Sequence, residues 1–174
     1  MQQKTIWCAG ILLTGITMLM PQPSFSLPAL QPVPAAQPIA TPIEPVRLEI
    51  RLSQRRVNVY QGEHKVKSYS IAVGRPGWET PVGTYTVRQK IRNPAWVHPL
   101  KSGETIPGGD PENPLGRFWI GFWTDGKNWI GFHGTPNPES VGTAASHGCI
   151  RMYNRDVEEL FTKVSLGTEV IVRK

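Results

Sequence analysis

This 174-residue chain predicts a mostly-β fold, a β-sandwich or barrel-like domain with one late helix, and three observations carry that prediction. Short runs of alternating apolar and polar residues recur from Leu48 to the C-terminus. Clusters of turn-forming residues separate them, and helical periodicity occurs only once, near the end. Many short strands followed by a single helix imply packed layers around one core. Hydrophobic residues make up 39% of the chain and six are tryptophans, which supplies such a core. The length suits one domain with an appendage, not two large domains.

The appendage comes first. Lys4 precedes an apolar run over residues 6–20, and small and helix-breaking residues follow, as in a secretory leader. The run of about 15 residues is shorter than the roughly 20 a membrane span needs. Residues 1–26 are therefore expected to be a signal peptide, cleaved near Ser26, with an uncleaved N-terminal anchor as the alternative. A lipoprotein role for Cys8 fits less well, because Cys8 lies inside the apolar run. Residues 27–45, LPALQPVPAAQPIATPIEP, carry a proline every few positions and almost no charge, the composition of a semi-rigid extended spacer. Removing residues 1–26 takes away Lys4 and no acid, leaving 18 basic against 13 acidic side chains, a net charge of +5. An exported protein of that charge tends toward anionic polymers of the cell envelope and is a poor candidate for nucleic acid. The expected location is the periplasm or envelope, with a membrane tether if the leader is retained, and the expected state is a monomer.

The domain is expected over residues 46–174. RLEIRLSQRRVNVYQG alternates at Leu48, Ile50 and Leu52 and again at Val57 and Val59, with turns at 53–55 and 61–63. HKVKSYSIAVG, GTYTVRQK, RFWIGFW, NWIGFHG and TEVIVRK are the further strands. The helix is NRDVEELFTKV: Asn154 as N-cap, Asp156 in the first turn, then Val157, Leu160, Phe161 and Val164 as one apolar stripe, with Gly167 as the stop. Trp78, Trp119, Trp123 and Trp129 are expected in the core or on strand faces. Residues 90–116 are dense in Pro and Gly and read as a long irregular binding loop, in which Trp96 is the candidate substrate contact.

Chemistry concentrates at TAASHGCIRM, residues 143–152. Once the leader is gone, Cys149 has no partner cysteine in the chain, which leaves an intermolecular disulfide, a reactive thiol or an inert buried one. A nucleophilic thiol needs a base and a stabilised thiolate. Two histidines are near in sequence, His147 two residues before the cysteine and His133 sixteen before it. In an extended segment positions 147 and 149 share a face, while His133 would reach Cys149 from a neighbouring strand, and spacing does not choose between them. Gly148 lets a carbonyl substrate approach the backbone closely. Arg151 would share the face of Cys149 and either fork a substrate carboxylate or form a structural ion pair. Zinc on His133, His147 and Cys149 is a rival reading, weakened by the lack of a second cysteine, a helical His pair or a nearby acid. No metal and no cofactor is expected.

FHGT at 132–135 followed by SHGCIRM at 146–152, with AVGRPGWETPVGTYTV at 72–87, resembles the L,D-transpeptidase catalytic domain of the YkuD family. The resemblance spans roughly residues 47–174. One departure is that the family often has Asn two places after the hydrophobic residue that follows the cysteine, where this chain reads Ile150-Arg151-Met152. The resemblance implies Cys149 as nucleophile, His133 as its base and the Gly134 carbonyl as the group that orients the imidazole. Ser146, His147 and Gly148 would shape the site, with the N–H groups of Gly148 and Cys149 in the oxyanion hole. It also implies the partners, donor and acceptor stem peptides of peptidoglycan. The family reaction is acyl transfer from the third residue of a tetrapeptide stem, with release of D-Ala, onto an amine of a second stem. Hydrolysis of the same bond is the alternative, as is a non-catalytic wall-binding module, which would lack the cysteine or the base. An NlpC/P60-like peptidase fits less well, since there the cysteine precedes the histidine.

Overall fold

The computed structural model describes residues 44–98 and 103–174. The leader at 1–26, and the spacer at 27–45 apart from Glu44 and Pro45, lie outside the described residues.

The alternating sequence becomes two main sheets. In the first, β1 (Val46–Arg51), β2 (Arg56–Gln61), β3 (His64–Ser70), β5 (Gly83–Thr86) and β13 (Glu169–Arg173) lie in the order β3-β2-β1-β13-β5. In the second, β6 (Gln89–Arg92), β9 (Phe118–Thr124), β10 (Trp129–His133) and β12 (Ile150–Arg151) lie in the order β12-β10-β9-β6. Two short pairs complete the strands: β4 (Val73–Gly74) with β11 (Ala144–Ser146), and β7 (Trp96–Val97) with β8 (Thr105–Ile106). The single α-helix, α1 (Asn154–Lys163), follows β12. This is the mostly-β, one-helix fold that the sequence predicts.

Register decides which residues are buried. Leu48 pairs with Val59 on one side and Val170 on the other, and Ile50 with Val57 and Val172, so one face of the first sheet is continuously aliphatic. On the second sheet Phe118, Ile120, Phe122, Phe132 and Ile150 point into the same core. Tyr85 meets Phe122 at 5.9 Å between ring centroids, and Phe118 meets Phe161 of the helix at 5.1 Å. Val157, Leu160, Phe161 and Val164 are all buried, as their helical spacing predicts. Truncating such a side chain to alanine costs about 2–5 kcal/mol.

Three local expectations are corrected. Tyr153, not Asn154, is the N-cap and makes no side-chain capping bond; the Asn154 amide has another task, described below. The helix ends at Val164 in extended backbone, so Gly167 serves a later turn, where its N–H donates to the Val87 carbonyl. Residues 90–116 are not uniformly irregular. They begin within β6 and contain the β7–β8 hairpin, held by Asn113, whose amide donates to the carbonyls of Pro94 (2.9 Å) and Pro107 (3.0 Å).

Candidate active site

The outer face of the second sheet carries the site. Strands β10 and β12 pair in parallel, with Phe132 opposite Ile150 and His133 opposite Arg151. Parallel neighbours need a crossover of a dozen or more residues, and residues 134–149 supply it through a 3-10 turn at Pro138–Ser140 and through β11. Since Phe132 and Ile150 face the core, the alternation turns Cys149, His133 and Arg151 to the opposite face. Cys149 lies level with Gly131 and therefore diagonal to His133, a separation that imidazole and thiol can span. The sixteen-residue spacing is thus a parallel crossover. It brings His133, not the adjacent His147, to the cysteine's face.

His133 is buried, and its Nδ1 lies 2.6 Å from the Gly134 carbonyl oxygen. A carbonyl only accepts, so Nδ1 carries the proton and the neutral ring keeps its lone pair on Nε2. Burial pushes the imidazole down to about 4; the Gly134 carbonyl opposes this, the Arg151 charge adds to it, and the Pro114 carbonyl also opposes it. Trp119, opposite His133 on β9, stacks on the ring at 6.1 Å between centroids and 27° between planes. Trp119 is itself fixed by a 3.0 Å bond from Nε1 to Gln89 Oε1.

The Gly134 carbonyl is held from behind. Asn154 Oδ1 accepts from the Thr135 N–H at 2.9 Å, and its Nδ2 donates to the Thr135 carbonyl at 3.1 Å. The Gly134 N–H donates to the Leu115 carbonyl at 3.0 Å. A Cβ at position 134 would run into the Asn154 amide, so the helix's first residue packs directly against Gly134.

Cys149 is half-buried in the turn between β11 and β12. Its thiol donates to the Trp129 carbonyl at 3.7 Å and receives the Gly131 N–H. Burial pushes the thiol up, while the Gly131 N–H and the Arg151 charge act against that. The turn is closed by Ser146, whose Oγ donates to the Cys149 carbonyl at 2.6 Å and accepts the Gly148 N–H at 3.1 Å. Gly148 sits at φ +109°, where side chains are strained, and a Cβ there would press on Ile130 at 3.1 Å. That conformation, more than substrate access, is what requires glycine.

The sharp turn at Gly148 also redirects His147. It is exposed, its Nε2 accepts from Arg75 Nη2 at 2.8 Å, and its ring stands edge-on to Trp78 at 4.8 Å. Burial, then Arg75, then Arg151 hold its pKa below the usual value. The extended-strand expectation that His147 shares the cysteine's face does not hold. Nor do His133, His147 and Cys149 gather as metal ligands; among the described residues no group of three His, Cys, Asp or Glu does. Arg151 makes no ion pair among the described residues, and its charge bears on His133, His147 and Cys149 alike.

Trp96, the candidate substrate contact, packs edge-on against His98 at 5.0 Å within the β7–β8 hairpin, and the long loop also reaches His133 and Gly134 through Pro114 and Leu115. One further expectation changes: Trp78 is 50% exposed rather than part of the core. Sequence reasoning assigned no role to Thr80. It is buried, its Oγ1 donates to the Gly148 carbonyl at 2.8 Å and accepts the Gly74 N–H at 3.2 Å, and it thereby ties the 74–80 turn to the loop that carries Cys149. The Thr-Pro pair in AVGRPGWETPVGTYTV was its only sequence signal. Gln89 gave none.

Known proteins resemble this chain in sequence and in fold. A Bacillus subtilis L,D-transpeptidase relative, YqjB, is 43% identical over 63% of this chain and 61% of its own length. A Bacillus licheniformis relative, YkuD, is 38% identical over 74% of this chain and 66% of its own. The chain thus spans about three fifths to two thirds of these relatives. The solved structure of an L,D-transpeptidase from Mycobacterium tuberculosis H37Rv matches with a TM-score of 0.56 at 25% identity, covering 74% of this chain and 57% of that one. An Enterococcus faecium L,D-transpeptidase shares the fold with a TM-score of 0.60 at 24% identity, over 75% of this chain and 50% of that one. The profile of the YkuD L,D-transpeptidase catalytic domain matches residues 45–172, nearly the whole described region, and the chain belongs to that family.

Proposed function

We propose that the protein is a peptidoglycan L,D-transpeptidase in which Cys149 is the nucleophile and His133 its base. The observation that carries the reading is the parallel β10–β12 register, which sets the half-buried thiol diagonal to an imidazole whose tautomer is fixed by the Gly134 carbonyl. Substrate binding turns the thiol from the Trp129 carbonyl toward Nε2 of His133, which takes the proton as sulfur attacks the third-residue carbonyl of a tetrapeptide stem. The C–N bond to the terminal D-Ala breaks, the proton passes to the departing amine, and a thioester remains. An amine of a second stem then attacks the thioester, gives a proton to His133 and forms the cross-link; the thiolate leaves and recovers that proton. The developing oxyanion draws on the Cys149 N–H, because Ser146 Oγ already holds the Gly148 N–H. Arg151, with no carboxylate partner among the described residues, attracts the terminal carboxylate of the donor. No step calls for a metal or organic cofactor. The leader-like residues 1–26, the proline-rich spacer and the basic charge support action in the cell envelope.

The full chain incubated with a disaccharide-tetrapeptide should give a dimer lacking one D-Ala by mass spectrometry, and Cys149→Ala should give none. Loss of D-Ala without a dimer would favour hydrolysis. Activity retained by Cys149→Ala would refute the nucleophile.

A further inference from the structure

Two indoles of the second sheet meet over one glycine. Gly121 of β9 lies opposite Gly131 on β10 and opposite Gln89 on β6. A Cβ at position 121 would stand 2.8 Å from Trp119 Nε1, 3.2 Å from Trp129 Cε3 and 3.3 Å from the Cβ of Gln89. The Gly121 backbone is not in the left-handed region, so room for the rings, and not conformation, is what requires glycine there. Trp119 is buried and stacks on His133, with its Nε1 held by Gln89 Oε1 at 3.0 Å. Trp129 is the residue whose carbonyl takes the Cys149 thiol at 3.7 Å. Imidazole and thiol therefore each have a tryptophan neighbour that packs at Gly121.

The bond from Nδ1 to the Gly134 carbonyl fixes one corner of the His133 ring. It does not fix the ring's plane, because the outer torsion of a histidine side chain is broad. A flat indole on one face does. The indole in turn needs a stop against rotation, and its one polar atom, Nε1, finds that stop in Gln89. Without this acceptor a buried N–H would lack a partner, and the ring would gain by turning to find one. Resting on the acyl-transfer reading above, we propose that Gln89 is a positioning residue for His133: it locks Trp119 flat on the imidazole, in the room left by Gly121, and so holds Nε2 toward Cys149. Gln89 makes no hydrogen bond to His133 or to Cys149 and acts through the indole.

The test pairs a spectroscopic reading of the stack with kinetics, both on the full chain. Proton NMR reads the stack without any reaction, since an indole face shifts the ring hydrogens of His133 upfield. Gln89→Leu removes the acceptor at similar size and should lose that shift. Its kcat for D-Ala release from a tetrapeptide stem should fall about 10- to 100-fold, the scale of a misplacement of up to about 1 Å, with KM unchanged. Gln89→Glu keeps an acceptor oxygen and should retain the shift and most of the rate. If Gln89→Leu does not fold, Gln89→Met makes the same change with an unbranched side chain. An intact shift in the variant without the acceptor, whatever its rate, would overturn the positioning role. So would a lost shift with kcat intact, or with the whole effect in KM, and each of these leaves the chemistry standing. A wild-type protein that releases no D-Ala would overturn the transfer reading, and a shift lost in Gln89→Leu but kept in Gln89→Glu would then still support the positioning of His133.

Discussion

The burial of His133 predicts a measurable acid sensitivity. An exposed imidazole in the unfolded chain takes a proton from pH 6.5 downward, whereas burial delays the folded chain's proton to about pH 4. Between those values the unfolded state binds more protons, so stability falls as pH falls through that window. Integrated from pH 7 to pH 4, the displacement amounts to about 3 kcal/mol, a large part of the roughly 5–15 kcal/mol of a typical domain. Carboxylates held below their ordinary values add acid sensitivity of the same sign. Glu49, where desolvation is outweighed by hydrogen bonds from Tyr60 and Arg51 and by the charges of Arg51 and Arg173, is one example. A comparison with His133→Gln cancels them, because the variant keeps every other group. Urea unfolding followed by tryptophan fluorescence at pH 7, 5.5 and 4 should show the wild type losing about 3 kcal/mol more than His133→Gln across that range. The variant's overall stability does not matter, only the difference in slope. Parallel losses in the two proteins would refute the assignment of His133 as a buried neutral base.

The thiol gives the mirror-image test. With Cys149 pushed up and His133 pushed down by burial, iodoacetamide alkylation of the free enzyme should rise only in alkaline solution, and a reactive plateau between pH 5 and 8 would reveal a preformed thiolate–imidazolium pair instead. Thr80→Val strands the buried Gly148 carbonyl and should cost about 1–3 kcal/mol, with a lower kcat because the nucleophile's loop loses its tie; unchanged kcat would separate that tie from catalysis. Asn154→Ala releases both backbone groups of Thr135 and leaves the Gly134 carbonyl unsupported. It should lower kcat more than it raises KM, and the reverse split would place its effect on substrate binding.

The sequence displayed its local patterns and hid whatever depends on meetings between distant segments. Alternation at Leu48, Ile50, Val57 and Val59 and the stripe from Val157 to Val164 are local signals, and the structure buries all of these residues. The His133 and Cys149 pairing was implied by motif resemblance, while its physical origin, the parallel β10–β12 register, could not be read from spacing that suited either histidine. Asn154 shows the limit well. A helix-start asparagine predicts a cap, but the loop carrying Gly134 comes close enough to take both ends of its amide. Trp78 fails in the other direction, since a composition-based prior buries tryptophan and knows nothing of a turn pinned at Gly74 and Thr80.

Burial acts on His133 and Cys149 together. It disfavours the charged form of each, lowering the imidazole and raising the thiol, so proton transfer within the free enzyme is uphill. The resting geometry agrees, with the thiol bonded to the Trp129 carbonyl and Nδ1 of the base committed to Gly134. A pair arranged in this way does not hold a standing thiolate. On the proposed reaction its charge separation becomes favourable as negative charge moves from sulfur onto the substrate oxygen, where the Cys149 N–H and the Arg151 field would receive it. Arg151 both depresses the imidazole and favours the thiolate, so the same cation opposes one half of the transfer and assists the other. A donor carboxylate seated on Arg151 would offset the first effect and make His133 a stronger base only when substrate is present.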